Sequence, residues 1–398
     1  MRLRRNILPV VGRLAESWDD LRHGVKLRLG LTSPPVLLPY RGFASGGEIV
    51  FGGRVIEDER VINAKPTRSR AKNLWRTFRR YETDEIRKAR VSWTIGSRSG
   101  SIESDAQGFF QVETSVAEAD LDGPWSRVTL RLESAPGYAF EPCDGAVKVR
   151  VVAPDAAFGV ISDIDDTIVE TGARSLFKHW RTVALNSAEG RVAFPGISYF
   201  YRALAAGRSG GETNPIFYVS SSPWNVYDLF DDFMRLCDIP PGPMFLKDFG
   251  LNATQWLTGS HATHKLNAAE RILDAYPALS FVLIGDTGQS DAVIYAQIVE
   301  RFPGRVISVH LRDVTPKGFK PQIRKAIAAI EAAGVEVTSS PSLQKAAETA
   351  ERLGLVDPGT ARGMQSEVDR DCEMLEAWTG PMPFRDKPAH GAPDEDAT

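Results

Sequence analysis

At 398 residues with 42% hydrophobic content, the chain is long enough for two domains, each with its own core. Its 48 Lys and Arg against 51 Asp and Glu leave a net charge of -3, which exerts no global pull toward nucleic acid. Three dispersed cysteines without a C-x-x-C argue against a zinc site or a disulfide framework and for a reducing, cytoplasmic compartment. No apolar run approaches the roughly 20 residues that span a bilayer, and the basic start Met1 to Arg5 reads as neither signal peptide nor anchor.

Ile7, Val11, Leu14, Trp18, Leu21 and Val25 recur at spacings of four and three, one apolar face of a helix within an N-terminal segment 1-39. Arg13, Arg22 and Lys26 make that helix basic. It can lie on an anionic membrane surface, as a peripheral membrane protein would need, or dock on the globular part of the chain that follows.

From 40 to 153 the period changes to that of strands. Glu48 to Ile56, Ala89 to Ile95, Gly108 to Thr114, Ser126 to Leu132 and Ala146 to Val152 are β-rich, with Gly, Asp and Pro between them. Such short strands predict an antiparallel β-sandwich, and Ser104 to Val112 resembles a phrase of prealbumin-like sandwiches. Inserted between the first two strands, Lys65 to Arg90 interleaves Lys and Arg with Leu74, Trp75, Phe78 and Tyr81. It reads either as a site for a phosphate-rich partner, membrane or nucleic acid, or as a solvated helix whose aromatics pack on the sandwich.

The period changes again at Pro154-Asp155, which opens a catalytic domain expected over 154-335. Phe158 to Gly172 reads F-G-V-I-S-D-I-D-D-T-I-V-E-T-G. Asp163, Asp165 and Asp166 follow a short apolar run and repel one another unless a cation sits among them; oxygen ligands of this kind suit Mg²⁺. Three further apolar runs end in polar groups: Ile216 to Val219 at Ser220-Ser221-Ser222, Phe281 to Ile284 at Gly285-Asp286 with Asp291 beyond, and Val306 to Leu311 at Arg312-Asp313. A helical pattern with Lys265 at its start lies between the second and third of these four runs. Strands alternating with helices imply a parallel sheet, whose ligands bind beyond the carboxyl ends of its strands. The serines after Val219 suit either a phosphoryl group or a helix N-cap, Trp224 and Tyr227 read as packing residues, and Pro240 to His264 reads as irregular. His261 and His264 lack the companions of a metal site. Helical patterns over 317-333, 343-353 and 361-378 follow, the last two as C-terminal helices within 336-379, and 380-398 has a disordered composition.

This constellation resembles the haloacid dehalogenase superfamily of phosphotransferases, whose four motifs run in the same order. D-I-D-D-T-I, F-Y-V-S-S-S-P-W-N-V-Y and L-I-G-D-T-G-Q-S-D look more narrowly like the catalytic domain of the phosphatidate phosphatase family typified by the yeast actin patch protein. The resemblance covers roughly residues 155 to 318. It implies an α/β, haloacid-dehalogenase-like Rossmannoid parallel sheet with a small cap, the cap falling on Arg174 to Glu189. Asp163 would be the nucleophile and Asp165 the general acid/base. Thr167, Ser220, Ser221 and Lys265 would bind phosphate, with Lys265 neutralising its charge. Asp163, the backbone carbonyl of Asp165, Asp286 and Asp291 would hold Mg²⁺. Arg312 would touch a headgroup, or form a structural ion pair with Asp313. The implied activity is Mg²⁺-dependent hydrolysis of phosphatidate through an aspartyl-phosphate. A phosphatase for another phosphomonoester, such as a nucleic-acid end, phosphoprotein or small molecule, and a non-catalytic lipid-binding scaffold are the rival readings. The sandwich, lacking any catalytic constellation, reads as a recruitment module whose loss would spare activity on a soluble phosphomonoester.

Overall fold

The computed structural model describes residues 32-57, 85-168, 196-247, 261-315 and 318-377. The expected N-terminal helix, most of the basic insertion, the small cap at 174-189 and the C-terminal tail lie outside the described residues.

The N-terminal half forms one seven-stranded sheet: β1 (Pro35–Ser45), β2 (Glu48–Glu57), β3 (Arg90–Ile95), β4 (Arg98–Glu103), β5 (Phe109–Ser115), β6 (Trp125–Ser134) and β7 (Cys143–Val151). Their order is β4-β3-β6-β7-β1-β2-β5. The alternation read from the sequence sets the faces: Val128, Leu130 and Leu132 of β6 point inward, while Arg127, Thr129 and Arg131 point to solvent. Two features depart from an antiparallel sandwich. β1 runs parallel to β7 over Gly42 to Ala44, so the sheet is mixed. Its two edges also meet, with Arg98 Nε of β4 donating to the Ser115 carbonyl of β5 at 3.1 Å, which gives a barrel-like closure around Phe51, Trp93, Leu130 and Val149.

β1 and β4 carry no clear strand signal. β1 begins at Pro35, ahead of the expected domain start at 40, and runs through Pro39. Pro39 is tolerated because β1 meets β7 only from Gly42 onward, so no ladder partner on that side misses its N–H. Between Tyr40 and Phe43 the register shifts, and at Gly42 a Cβ would lie 2.1 Å from the Val50 carbonyl.

The second sheet is wholly parallel: β8 (Gly159–Asp163), β9 (Ile216–Pro223), β10 (Met244–Lys247), β11 (Phe281–Asp286), β12 (Val306–Arg312) and β13 (Glu336–Ser340), in the order β10-β9-β8-β11-β12-β13. On one face lie α1 (Ile197–Ala206), α2 (Tyr227–Leu236), α6 (Gln344–Arg352) and α7 (Thr360–Ala377); on the other lie α3 (His261–Ala275), α4 (Asp291–Arg301) and α5 (Pro321–Ala332). Val160 and Ile161 of β8 therefore enter opposite cores. Burial on both faces is why these strands read as unbroken apolar runs.

Two strands correct the sequence reading. β10 falls inside Pro240 to His264, expected to be irregular. β13 pairs with β12, and Ala346, Ala347, Ala350 and Met364 of α6 and α7 enter the core against the sheet. The expected break at 335/336 thus cuts through one sheet and its covering helices. A β-strand of Glu, Val, Thr and two Ser, half-buried throughout, offers little periodic signal.

The chain passes from β8 outward through β9 and β10, then returns to β11 on the other side of β8. That reversal opens a crevice at the carboxyl end of β8, where an open α/β sheet binds its ligand.

Candidate active site

Asp163 is the last residue of β8 and is 1% exposed. Its two oxygens have different partners. Lys265 Nζ lies 2.6 Å from Oδ1, and Thr167 Oγ1 donates to Oδ2 at 3.1 Å. The turn that brings Thr167 back passes through Asp166, a non-glycine residue at φ 58°. Arg312, at the end of β12, donates from Nη1 to the Asp166 carbonyl at 2.8 Å and from Nε to the Pro341 carbonyl at 3.1 Å. Arg312 thus fastens this turn, and Asp313 bonds instead to Thr287 Oγ1 at 3.0 Å and to the Thr315 backbone N–H at 2.9 Å. Burial works against ionisation of Asp313, but these bonds and that of the Thr315 hydroxyl hold its carboxyl below the usual range.

Lys265 stands in the second turn of α3 and also reaches Asp291 Oδ1 at 2.7 Å. Gln289 Oε1 lies 3.4 Å from the same nitrogen. Burial opposes the ammonium, but the carboxylates of Asp163 and Asp291 outweigh it and keep Lys265 protonated well above the ordinary lysine range. Asp291 opens α4, and its Oδ2 accepts the Asp286 backbone N–H at 3.1 Å. Glycine at 285 permits this approach, because a Cβ there would lie 2.6 Å from Asp291 Oδ2.

Asp286 ends β11. Its Oδ1 accepts the backbone N–H groups of Gly288 at 2.6 Å and Gln289 at 2.8 Å. Its Oδ2 is buried and has no hydrogen-bond partner. Asp163, Asp286 and Asp291 each place a carboxylate oxygen within 4.8 Å of the others. Three ionised carboxylates against one lysine leave a net charge of two units negative, the deficit that one divalent cation removes. An orphaned carboxylate oxygen in an all-oxygen cluster is what a hard cation requires, so these residues fit a metal of the Mg²⁺ kind. Without a metal, burial raises Asp163, with Asp291 and Asp165 adding to it against the pull of Lys265. Burial, with Asp291 beside it, pushes Asp286 up to about 7.

Asp165 faces the other side. Its Oδ2 accepts the Ser220 hydroxyl, and Ser222 Oγ donates to Oδ2 at 3.1 Å and approaches Oδ1 at 3.3 Å. The Ser222 backbone N–H in turn donates to Ser220 Oγ at 2.9 Å. Burial raises the Asp165 carboxyl, and the two serines with Lys265 reduce that rise without cancelling it. Ser220 has therefore committed its hydroxyl proton to Asp165, while Ser221 Oγ is buried without a partner.

None of the three serines caps a helix. A 3-10 turn, Trp224 to Val226, intervenes before α2, and neither start has a side-chain cap. Trp224 and Tyr227 pack as the sequence suggests, Trp224 stacking on Tyr40 at 4.8 Å between ring centroids. His264 belongs to no group of possible metal ligands among the described residues; Nε2 lies 3.5 Å from the Phe245 carbonyl, and burial lowers its pKa. Asp163, Lys265, Asp286 and Asp291 come together as one cluster, and Asp165 with Ser220 as its neighbour. The hold of Ser222 on Asp165 and the place of Gln289 beside Lys265 were not read from the sequence: one residue is the last of three identical serines and the other a lone amide, and neither position carries a pattern.

Residues 158–313 match the family model described as phosphatidate phosphatase APP1, catalytic domain. Phosphatidate phosphatase APP1 of Saccharomyces cerevisiae is 28% identical over 219 residues, covering 53% of this chain and 36% of the relative. An uncharacterized protein of Schizosaccharomyces pombe is 27% identical over 160 residues, covering 39% and 25%. The chain thus spans between a quarter and little more than a third of the length of the curated relatives it matches. A carbohydrate acetylesterase from Xanthomonas citri aligns over 76% of each chain at 11% identity, but with a TM-score of 0.25 it carries no argument. β8, β9, β11 and β12 lie inside the matched segment with Asp163, Asp165, Ser220, Lys265, Asp286 and Asp291, and it is over residues 158–313 that this chain is similar to the catalytic domain of phosphatidate phosphatase APP1.

Proposed function

We propose that the chain is a phosphoric monoester hydrolase of the haloacid dehalogenase type that uses Mg²⁺ to convert phosphatidate to diacylglycerol and phosphate. The observation that carries this reading is the arrangement around Asp163. One carboxylate is held at a strand end by a lysine and a threonine, a second lies two residues on under serine control, and two more carboxylates stand beside the lysine.

In the first half-reaction an Asp163 oxygen attacks phosphorus, the bond from phosphorus to the glycerol oxygen breaks, and Asp165 gives its proton to the departing alkoxide. A carboxyl raised by burial suits that task, since it must hold a proton near neutral pH. In the second, Asp165 takes a proton from water as the water oxygen attacks phosphorus; phosphate leaves and Asp163 is regenerated. Lys265 balances the charge on the phosphoryl oxygens, as it balances Asp163 and Asp291 in this structure. Ser221, whose hydroxyl is unpartnered, and Ser220, on release from Asp165, donate to phosphate. Asp163, the Asp165 carbonyl, Asp286 and Asp291 would hold the cation, which when bound would supply the charge neutralisation that lets a carboxylate approach an anionic phosphate.

Phosphatidate as substrate rests on the family, since the cluster reports on the phosphoryl group rather than the alcohol. No helix among the described residues is long and apolar enough to cross a membrane. Phosphate release from phosphatidate in mixed micelles, with Mg²⁺ and then with chelator, tests the reading against Asp163→Asn. Metal-dependent release lost in the variant supports it. Activity retained by Asp163→Asn overturns the mechanism; release from an aryl phosphate but not from phosphatidate overturns the substrate.

A further inference from the structure

The N-terminal sheet meets the catalytic sheet at the segment that controls Asp165. Arg54 of β2 is 5% exposed and surrounded by its own sheet: Nε donates to the Gln107 carbonyl at 2.9 Å, Nη2 pairs with Glu85 at 2.7 Å, and its guanidinium lies 4.6 Å from the centre of the Phe109 ring. The remaining nitrogen, Nη1, crosses the seam to Asn225 Oδ1 at 3.1 Å. Tyr40 of β1 stacks on Trp224 and lies 4.3 Å from the Tyr227 ring, and the Arg41 backbone N–H donates to Tyr227 Oη at 2.7 Å. Trp224, Asn225 and Tyr227 follow directly on Ser220 and Ser222, whose hydroxyls hold Asp165.

A buried guanidinium gives up hydration and recovers it through fixed, directional bonds, so Arg54 defines a position rather than adding surface attraction. Asn225 is therefore held from a rigid sheet. The backbone from 222 to 225 has little slack, since β9 runs through Pro223 and the 3-10 turn begins at Trp224. A shift of Asn225 is passed to the Ser222 hydroxyl and from there to the carboxylate. Apolar packing across the seam is continuous: Leu38, Tyr40 and Ile56 share one core with Phe158 and Tyr218, and Phe43 shares the other with Phe217.

We propose that the β1–β2 corner of the N-terminal sheet is half of the acid/base apparatus, with Arg54, acting through Asn225, and Ser222 as positioning residues for Asp165. This rests on Asp165 being the proton donor, and it replaces the picture of a detachable recruitment module. Loss of these contacts slows proton delivery to the leaving group without altering how the phosphoryl group is held.

Leaving-group dependence tests this in the full chain with Mg²⁺. A soluble alkyl phosphate needs its departing oxygen protonated; p-nitrophenyl phosphate does not. For Asn225→Ala and Ser222→Ala, kcat/KM on the alkyl phosphate falls about tenfold or more and kcat/KM on the aryl phosphate less than about threefold; kcat/KM ends at phosphoryl transfer, so the water step that Asp165 also serves for both substrates does not enter it. Ser222→Thr, which keeps a hydroxyl, restores most of the alkyl rate. Glu113→Gln removes the exposed Glu113–Arg271 ion pair elsewhere on the seam and leaves both rates unchanged, separating positioning from general loosening. Equal losses on the two substrates, or none, overturn the proposal. Hydrogen exchange supplies a readout independent of turnover: the Ser222 amide, bonded to Ser220 Oγ, exchanges faster in Arg54→Met and Asn225→Ala. Unchanged exchange in Asn225→Ala overturns the anchoring even if Arg54→Met fails to fold. A wild type that releases phosphate from neither substrate overturns the proposed function instead, and the exchange result still decides the anchoring.

Discussion

Lys265 Nζ sits 2.6 Å from Asp163 Oδ1 while bonded at 2.7 Å to Asp291, so one ammonium joins the end of β8 to the start of α4 across the mouth of the crevice. Truncating it leaves two buried carboxylates facing each other. Lys265→Met is expected to destabilise the metal-free protein by about 3 kcal/mol, the scale of a broken buried ion pair. Turnover should fall at least ~100-fold, the scale of losing a charge donor to the reacting oxygens. Urea denaturation and initial rates check the two effects separately.

Asp286 makes the metal-free stability depend on pH. An unfolded aspartate titrates near 3.8, whereas burial and then Asp291 push this one up to about 7. Between those values the folded protein retains a proton that the unfolded chain has released. Stability therefore falls as pH rises from about 4 to 7, by up to roughly 4 kcal/mol, and falls no further from this group above that window. A bound cation takes the place of that proton, so the rise in Tm on adding Mg²⁺ should be small at pH 5 and large at pH 8. Thermal melts with Mg²⁺ and with chelator at both values are decisive; an equal shift at the two would contradict the account.

Asp286→Asn separates the metal from the fold. Its amide oxygen can still accept the Gly288 and Gln289 N–H groups, and the charge that burial opposes is gone. The variant should be at least as stable as the wild type at pH 8 without metal, should show little stabilisation by Mg²⁺, and should lose activity. Destabilisation instead would show that the carboxylate is needed for the turn itself.

Gly285→Ala tests how closely the cluster is packed. The added Cβ would meet Asp291 Oδ2 at 2.6 Å and Tyr295 Oη at 2.9 Å, neither at the end of a freely moving side chain. Overpacking of about 1–3 kcal/mol is expected, with Asp291 displaced from Lys265. Both Tm and Mg²⁺ affinity should drop; a fall in Tm alone would place the strain on Tyr295.

Much of the site was legible in the residues because its chemistry is local to strand ends. Asp163, Ser220, Asp286 and Arg312 each terminate an apolar run, and a run buried on both faces needs no alternation to be noticed. Lys265 was legible by resemblance and by its place at a helix start. The partners of these groups were not. That Ser220 and Ser222 hold Asp165, that Arg312 fastens the carbonyl of Asp166, and that Asp286 keeps one oxygen unsatisfied depend on side-chain directions that no spacing encodes.

The sequence by itself determined a parallel sheet with acids, serines and a lysine at one end, since period, burial and turn chemistry are written residue by residue. Tertiary structure decided what period does not carry. β1, broken by prolines, joins the sheet because its partners leave Pro39 no bond to miss; β13, without a clear apolar face, completes the catalytic sheet because β12 offers an edge. The seam between the two sheets was decided last, by the burial of Arg54 and the stacking of Tyr40 on Trp224, contacts between residues far apart along the chain whose energy exists only once both sheets have formed.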